Sequence, residues 1–150
     1  MASYRSENEK WSSAAFCADS ETLSPDQMES IIGLQPTRSH RIGEPRSKLT
    51  KRGVYNRHYY SIQSTISDGE PLDAHIEEIL SVLEPRMDNV KRLASQASLC
   101  LFCGFSSGNG QGGFSLSPHL LSRLARLGVE VVLDLYPPEG GGHDALENAT

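Results

Sequence analysis

Two helix starts divide this chain into strand–helix units and so limit what it can fold into. Ser24-Pro25-Asp26-Gln27 sets a Ser N-cap before Pro at the first helical position, an acid in the first turn and Gln three residues after the cap. Ser117-Pro118 repeats the Ser cap and the Pro. A glycine answers each start, Gly33 and Gly128, because glycine accepts the left-handed conformation that ends helices. Met28, Ile31 and Ile32 form the apolar stripe of the first helix, and Leu120, Leu121, Leu124 and Leu127 that of the last. Between them Leu72, Ile76, Ile79, Leu80 and Leu83 recur at helical spacing, and Met87, Val90, Leu93 and Ala94 resume the stripe after Pro85. Proline in a helix interior clashes with the preceding turn, so a kink or two abutting helices are expected there.

The segments around these helices read as strands. Trp11 to Ala18 is a short apolar run, and Thr37 to Ile42 and Val54 to Gln63 are extended between Pro36, Gly43, Pro45 and Gly53. Leu99 to Phe105 is continuously apolar, as a buried central strand is. Gly113 to Ser117 reads as a returning strand that makes a hairpin with it, across a loop from Ser106 to Gly112. In Val129 to Tyr136, Val131, Leu133 and Leu135 face one way and Glu130, Val132 and Asp134 the other. The order is an α+β chain: a ferredoxin-like β-α-β-β-α-β core with an antiparallel sheet and helices on one face, extended by a C-terminal β-α-β unit. Residues 1–10 and 137–150 are expected to be disordered tails around a single domain over 11–136.

At 150 residues the chain can bury a core without disulfides or metals. No run approaches the ~18 apolar residues of a membrane span, so no membrane association is expected. Cys17, Cys100 and Cys103 are an odd set, and the N-terminal MASYRSENEKWSS has no apolar stretch of a secretory leader, which points to a reducing cytoplasm. Cys100 and Cys103 form a C-x-x-C. On a strand a spacing of three sends them to opposite faces, and no second Cys or His pair completes four ligands, so no metal and no cofactor is expected.

Charge is segregated. Of fourteen cations seven lie between Arg38 and His58, namely Arg38, Arg41, Arg46, Lys48, Lys51, Arg52 and Arg57, with Glu44 the only acid among them. Asp68, Glu70, Asp73, Glu77, Glu78 and Glu84 follow with no cation between. With 14 Lys and Arg against 19 Asp and Glu the net charge is −5, which disfavours nucleic acid as a partner. Gly104 to Gly113 holds five glycines, yet it has neither the G-K-[ST] of a phosphate loop nor a following helix. His40, His58, His75, His119 and His143 form no H-x-x-x-H pair.

Leu34-Gln35-Pro36-Thr37-Arg38 through Gly43, Leu83-Glu84-Pro85-Arg86, Phe102-Cys103-Gly104-Phe105, Gly112-Gly113-Phe114-Ser115-Leu116-Ser117-Pro118 and Asp134-Leu135-Tyr136 together resemble the family catalogued as domain of unknown function 4279. The resemblance covers most of Phe16 to Tyr136. It implies a small, mainly bacterial protein of a family some of whose members occur where immunity proteins of polymorphic toxin systems are found. It carries no catalytic residues to this chain. Where such members often place a Trp, this sequence has Tyr59 and Tyr60.

Two functional readings follow. The first is a non-enzymatic module that binds a protein partner, of immunity type, through Asp68, Glu70, Asp73, Glu77 and Glu78, whose charge would steer it onto a basic surface. The second is a domain for a small anion such as a phosphate-containing ligand, built from Arg38, His40, Arg41 and Arg57 with Gly108, Gly110 and Gly112. A hydrolase using His40 or His119 has no motif behind it. Self-association into a homo-oligomer is compatible with the sequence, which does not fix the oligomeric state.

Overall fold

The computed structural model describes residues 10–47 and 53–136; the two expected tails, Lys48, Lys51, Arg52 and His143 fall outside the described residues, apart from Lys10. Along the chain run β1 (Trp11–Ser20), α1 (Pro25–Ile32), β2 (Arg38–His40), β3 (His58–Gln63), α2 (Leu72–Leu83), a 3₁₀ turn (Glu84–Arg86), α3 (Met87–Ala94), β4 (Ser98–Ser106), α4 (Pro118–Leu127) and β5 (Glu130–Tyr136). The strands form one mixed sheet in the order β2-β3-β1-β4-β5. Its β2–β3, β3–β1 and β1–β4 contacts are antiparallel, and β4–β5 is parallel.

The helices cover one face of this sheet. In β1 the even positions Ser12, Ala14, Phe16, Ala18 and Ser20 are buried, and register sets Tyr60 of β3 beside Ala18 and Leu101 and Cys103 of β4 beside Phe16 and Ala14. Against that layer pack Leu72, Ile76, Ile79, Leu80 and Leu83 of α2, Met28 and Ile32 of α1, Val90 and Leu93 of α3, and Leu120, Leu124 and Leu127 of α4. Each such side chain contributes about 1.5–3 kcal/mol on full burial. The odd positions of β1 face the other side of the sheet, over which no helix lies among the described residues.

The helix boundaries follow the local chemistry. Ser24 accepts a hydrogen bond from Gln27 N–H while the Gln27 side chain accepts one from Ser24 N–H, a complete capping box. Ser117 accepts from Leu120 N–H at 3.1 Å. Gly33 and Gly128 take φ of 81° and 75°. Pro85 sits in the 3₁₀ turn, which breaks the long stripe into α2 and α3 while keeping one apolar face.

The two extended segments between Pro36 and Gln63 are shorter than their patterns predict, β2 covering Arg38–His40 of the expected Thr37 to Ile42. Val54 makes only an isolated bridge with Pro45, and the regular ladder of β3 begins at His58. The hairpin expected from Gly113 to Ser117 does not form: residues 113–117 join no ladder. Both edges of β4 are taken, by β1 and by β5, so a returning strand has no edge to join. The alternation in GFSLS comes instead from Phe114 and Leu116 packing against the core as loop residues. The C-terminal unit therefore adds one strand, β5, with α4 as its crossover and β4 shared with the rest of the sheet.

Gly104 in β4 lies under the Trp11 ring. A Cβ at this position would come to 2.9 Å from Trp11 Cζ3 and 2.9 Å from Ser13 Oγ. The ring reaches across β4 to Tyr136, with centroids 4.9 Å apart. Gly104→Ala should displace the indole and cost about 1–3 kcal/mol. Urea unfolding together with a red shift in the emission of the single tryptophan checks this; an unshifted spectrum at unchanged stability would refute it.

Candidate functional site

On the helix-free side of the sheet the strands leave a cavity of about 350 Å³, at the small end of the ~300–1,000 Å³ typical of ligand pockets. Its floor is β1, through Ser13, Ala15 and Cys17; Tyr59 and Gln63 of β3, Arg38 of β2 and Phe102 of β4 form its sides. Register explains this grouping: Arg38, Ser61, Cys17 and Cys100 share one level across four strands, and Gln63, Ala15 and Phe102 another. Ser64 and Asp68 close one end. They come from the β3–α2 loop, which continues along β1 as Ser64 N–H donates to Ala14 C=O at 2.8 Å and Ser12 N–H to Asp68 C=O at 2.9 Å.

Two polar arrangements hold this loop, one around the buried His75 and one around the partly exposed Glu78. Ser64 Oγ accepts from Ala14 N–H at 3.2 Å and shares a hydrogen bond of 2.7 Å with His75 Nδ1. His75 is 1% exposed, and its Nε2 has no partner among the described residues, so no third group orients the ring as a catalytic triad requires. The Glu78 carboxylate accepts from the Thr65 hydroxyl and from the N–H groups of Thr65 and Ile66. Burial opposes its ionisation, but these hydrogen bonds outweigh burial and hold Glu78 below its ordinary value.

The thiols beside the cavity are neutral. Cys17 is raised by burial against the hydrogen bonds it shares with Tyr59 and Cys100. Burial and the neighbouring Cys17 push Cys100 up to about 11, and burial pushes Cys103 to about 12. Neutral thiols are poor nucleophiles. The C-x-x-C spacing does divide its members: Cys100 faces the open side, level with Cys17, and Cys103 lies in the core beside Ala14. Tyr59, pushed up to about 12 by burial, shares a 3.2 Å hydrogen bond with Cys17 and stacks on His40, which stacks in turn on Tyr55 at 3.4 Å. Burial keeps His40 below its usual value and hence neutral within the stack.

The structure separates residues that the sequence grouped. Arg41 pairs with Asp26 at 2.6 Å, and Arg57 with Asp19 and Glu21. Arg38 lines the cavity and, among the described residues, makes no ion pair. Gly108, Gly110 and Gly112 follow β4 at the Trp11 end of the sheet, whereas His40 is level with Tyr59 and Asp19 at the other end. Eight residues of strand, roughly 26 Å, lie between those levels, so no single site joins the loop to the basic stretch. The glycines have φ of 84°, 80° and 119°, and Gly110 and Gly112 border a separate groove with Phe105, Phe114 and Leu135, where the nearby Lys10 ammonium lies over the Phe105 ring at 5.9 Å. The acids divide too. Glu77 pairs with Arg123 and Glu78 caps the loop, Asp68 lines the cavity, and Glu70 and Asp73 are exposed.

Ser13, Cys17, Tyr59, Gln63, Ser64 and Phe102 escaped sequence reasoning. The available signal was the odd-position series Ser13, Ala15, Cys17 in β1, which is too small and polar for a covered face.

Glu78→Gln should lower stability at neutral pH. A carboxylate held low in the folded state stabilises above its ordinary value near 4.5 and loses that contribution as pH falls through the lower folded value. Urea midpoints of the two proteins should therefore converge in acid; parallel profiles from pH 7 to pH 3 would refute the role. For the Ser–His pair, Ser64→Ala should cost about 1–3 kcal/mol by stripping a buried partner. Adding His75→Leu should recover part of that loss in a double-mutant cycle.

No curated protein and no solved structure matches this chain. The family model with the description Domain of unknown function (DUF4279) matches residues 9–138, and the chain belongs to that family.

Proposed function

We propose that this domain binds a small anionic molecule, one bearing a phosphate or carboxylate, in the cavity on the open face of the sheet. The observation that carries this reading is Arg38. This residue borders a cavity of about 350 Å³ and makes no ion pair among the described residues, while Arg41 and Arg57 of the same basic stretch are held by carboxylates. A guanidinium offers a planar fork of donors that matches carboxylate and phosphate oxygens. Around it Gln63, Ser13, Ser64 and Tyr59 supply neutral polar groups, and Phe102 and Ala15 an apolar wall. The glycine loop has no part in this site.

A protein partner held through the acidic stretch has weaker support, because Glu77 and Glu78 already serve contacts within the chain. The run β2-β3-β1-β4, with all three contacts antiparallel, supports reading the first four strands as a ferredoxin-like unit to which β5 is appended. The neutral free thiols favour a reducing, cytoplasmic setting.

Thermal unfolding against inorganic phosphate, sugar phosphates, nucleotides and short dicarboxylates, each compared with sulfate at matched ionic strength, tests the proposal. A probe at about 100 times its Kd should stabilise by roughly 2.7 kcal/mol. The shift should vanish in Arg38→Ala and persist in Arg41→Ala. No shift beyond the sulfate control, or one that survives Arg38→Ala, would overturn the reading.

A further inference from the structure

The two edges of the sheet are built differently. β2 is three residues long and presents Arg38 and His40, the short and charged kind of edge that discourages pairing. β5 has seven residues, no proline and no cation, and among the described residues only β4 as a neighbour. Every one of its residues is at least partly exposed. Val131, Leu133 and Leu135 lie on the side of the helices, level with the buried Leu101, Cys103 and Phe105. They are nevertheless 36%, 46% and 61% exposed. An apolar row beside an unpaired line of N–H and C=O groups is a template for another strand.

We infer that β5 is the seam of a symmetric dimer, in which a second copy of this chain pairs antiparallel along it. Charge selects the register. A two-fold axis perpendicular to the sheet keeps both helix layers on one side, so residues of the same face must meet. With the axis at Leu133 all seven residues pair: Leu133 meets its own copy, Val131 meets Leu135, Val132 meets Asp134 and Glu130 meets Tyr136. An axis at Val132 would set Glu130 against Asp134, and an axis at Asp134 would set that carboxylate against itself. Like charges directly opposite are destabilising, so the Leu133 register is favoured. The same register places the three aliphatic side chains against three from the second copy.

Residues 137–150 fit the role of a cover for this edge less well than a second copy does. Pro137 and Pro138 follow Tyr136 and have no N–H to lengthen a ladder, and Leu146 is the only large aliphatic residue from 137 to 150. The inference stands apart from the cavity reading, because it uses none of the cavity's residues. In the dimer the two open faces lie on one side of a ten-stranded sheet.

Sedimentation velocity of the full chain over a concentration series should show twice the chain mass. Leu133→Lys sets two ammonium groups on the axis and should give a folded monomer, with circular dichroism confirming the fold. Leu133→Cys places paired Cα atoms about 4.5–5.5 Å apart, inside the ~4.4–6.8 Å reach of a disulfide, so copper–phenanthroline should convert it to a covalent dimer. Leu135→Cys copies would lie four residues apart along the strand, roughly 13 Å, and should stay uncoupled. A wild-type monomer at every concentration would overturn the inference, as would a Leu133→Lys dimer or equal cross-linking at both positions. Hydrogen exchange then separates the alternatives for a monomer: slow exchange at the β5 amides that point away from β4 would mean cover by the chain's own residues, and fast exchange there an edge left for a foreign strand.

Discussion

Strand β1 is the constraint on which the rest of the molecule hangs. It is antiparallel to both β3 and β4 and lends each of them its alternation, even positions inward and odd positions outward. Phe16 and Ala18 seat α2 and α1 on one face because the side chains opposite them, Leu101 and Tyr60, share that face. On the other face the same strand offers Ser13, Ala15 and Cys17, small groups that leave room above the sheet. Core and cavity are thus two readings of one ten-residue strand. A shift of its register by a single residue would exchange them.

Much of the fold was legible because helix ends are chemical. Ser24 and Ser117 cap, Gly33 and Gly128 stop, and Pro85 breaks the long stripe; each acts through neighbours within four residues and needs no tertiary information. Strand pairing is different in kind. Phe114 and Leu116 alternate as a strand does, yet they alternate to reach the core from a loop, since β4 has given its edges to β1 and β5. The site was legible only in part for the same reason. Arg38 stood out as a cation, but nothing near it in the chain reveals that Cys17 and Cys100 share its level, or that Asp26, Asp19 and Glu21 engage its fellow arginines. Glycine clustering has a local cause as well, because the left-handed backbone at Gly108, Gly110 and Gly112 is a conformation that glycine adopts without steric cost.

The polar groups of the open face are engaged with one another and with the backbone. The thiols are protonated, His40 is neutral between two tyrosine rings, and the Ser64 hydroxyl is tied to a backbone N–H and to a buried imidazole. Of these, Cys17 and Ser64 line the cavity, with Tyr59 bonded to Cys17, and the hydrogen bonds hold them in place. The Glu78 carboxylate does likewise from behind, by fixing the start of the loop that bears Asp68.

The brevity of β2 has a consequence for assembly as such. A sheet with two receptive edges adds copies without limit and becomes a fibre, whereas a sheet with one receptive edge is complete after a single joining. Three residues ending at His40, with an arginine among them, leave this sheet one edge at which it can grow and one at which growth stops. In the dimer proposed above, closure is therefore a property of the strand farthest from the seam, and lengthening β2 would change the kind of object such chains build.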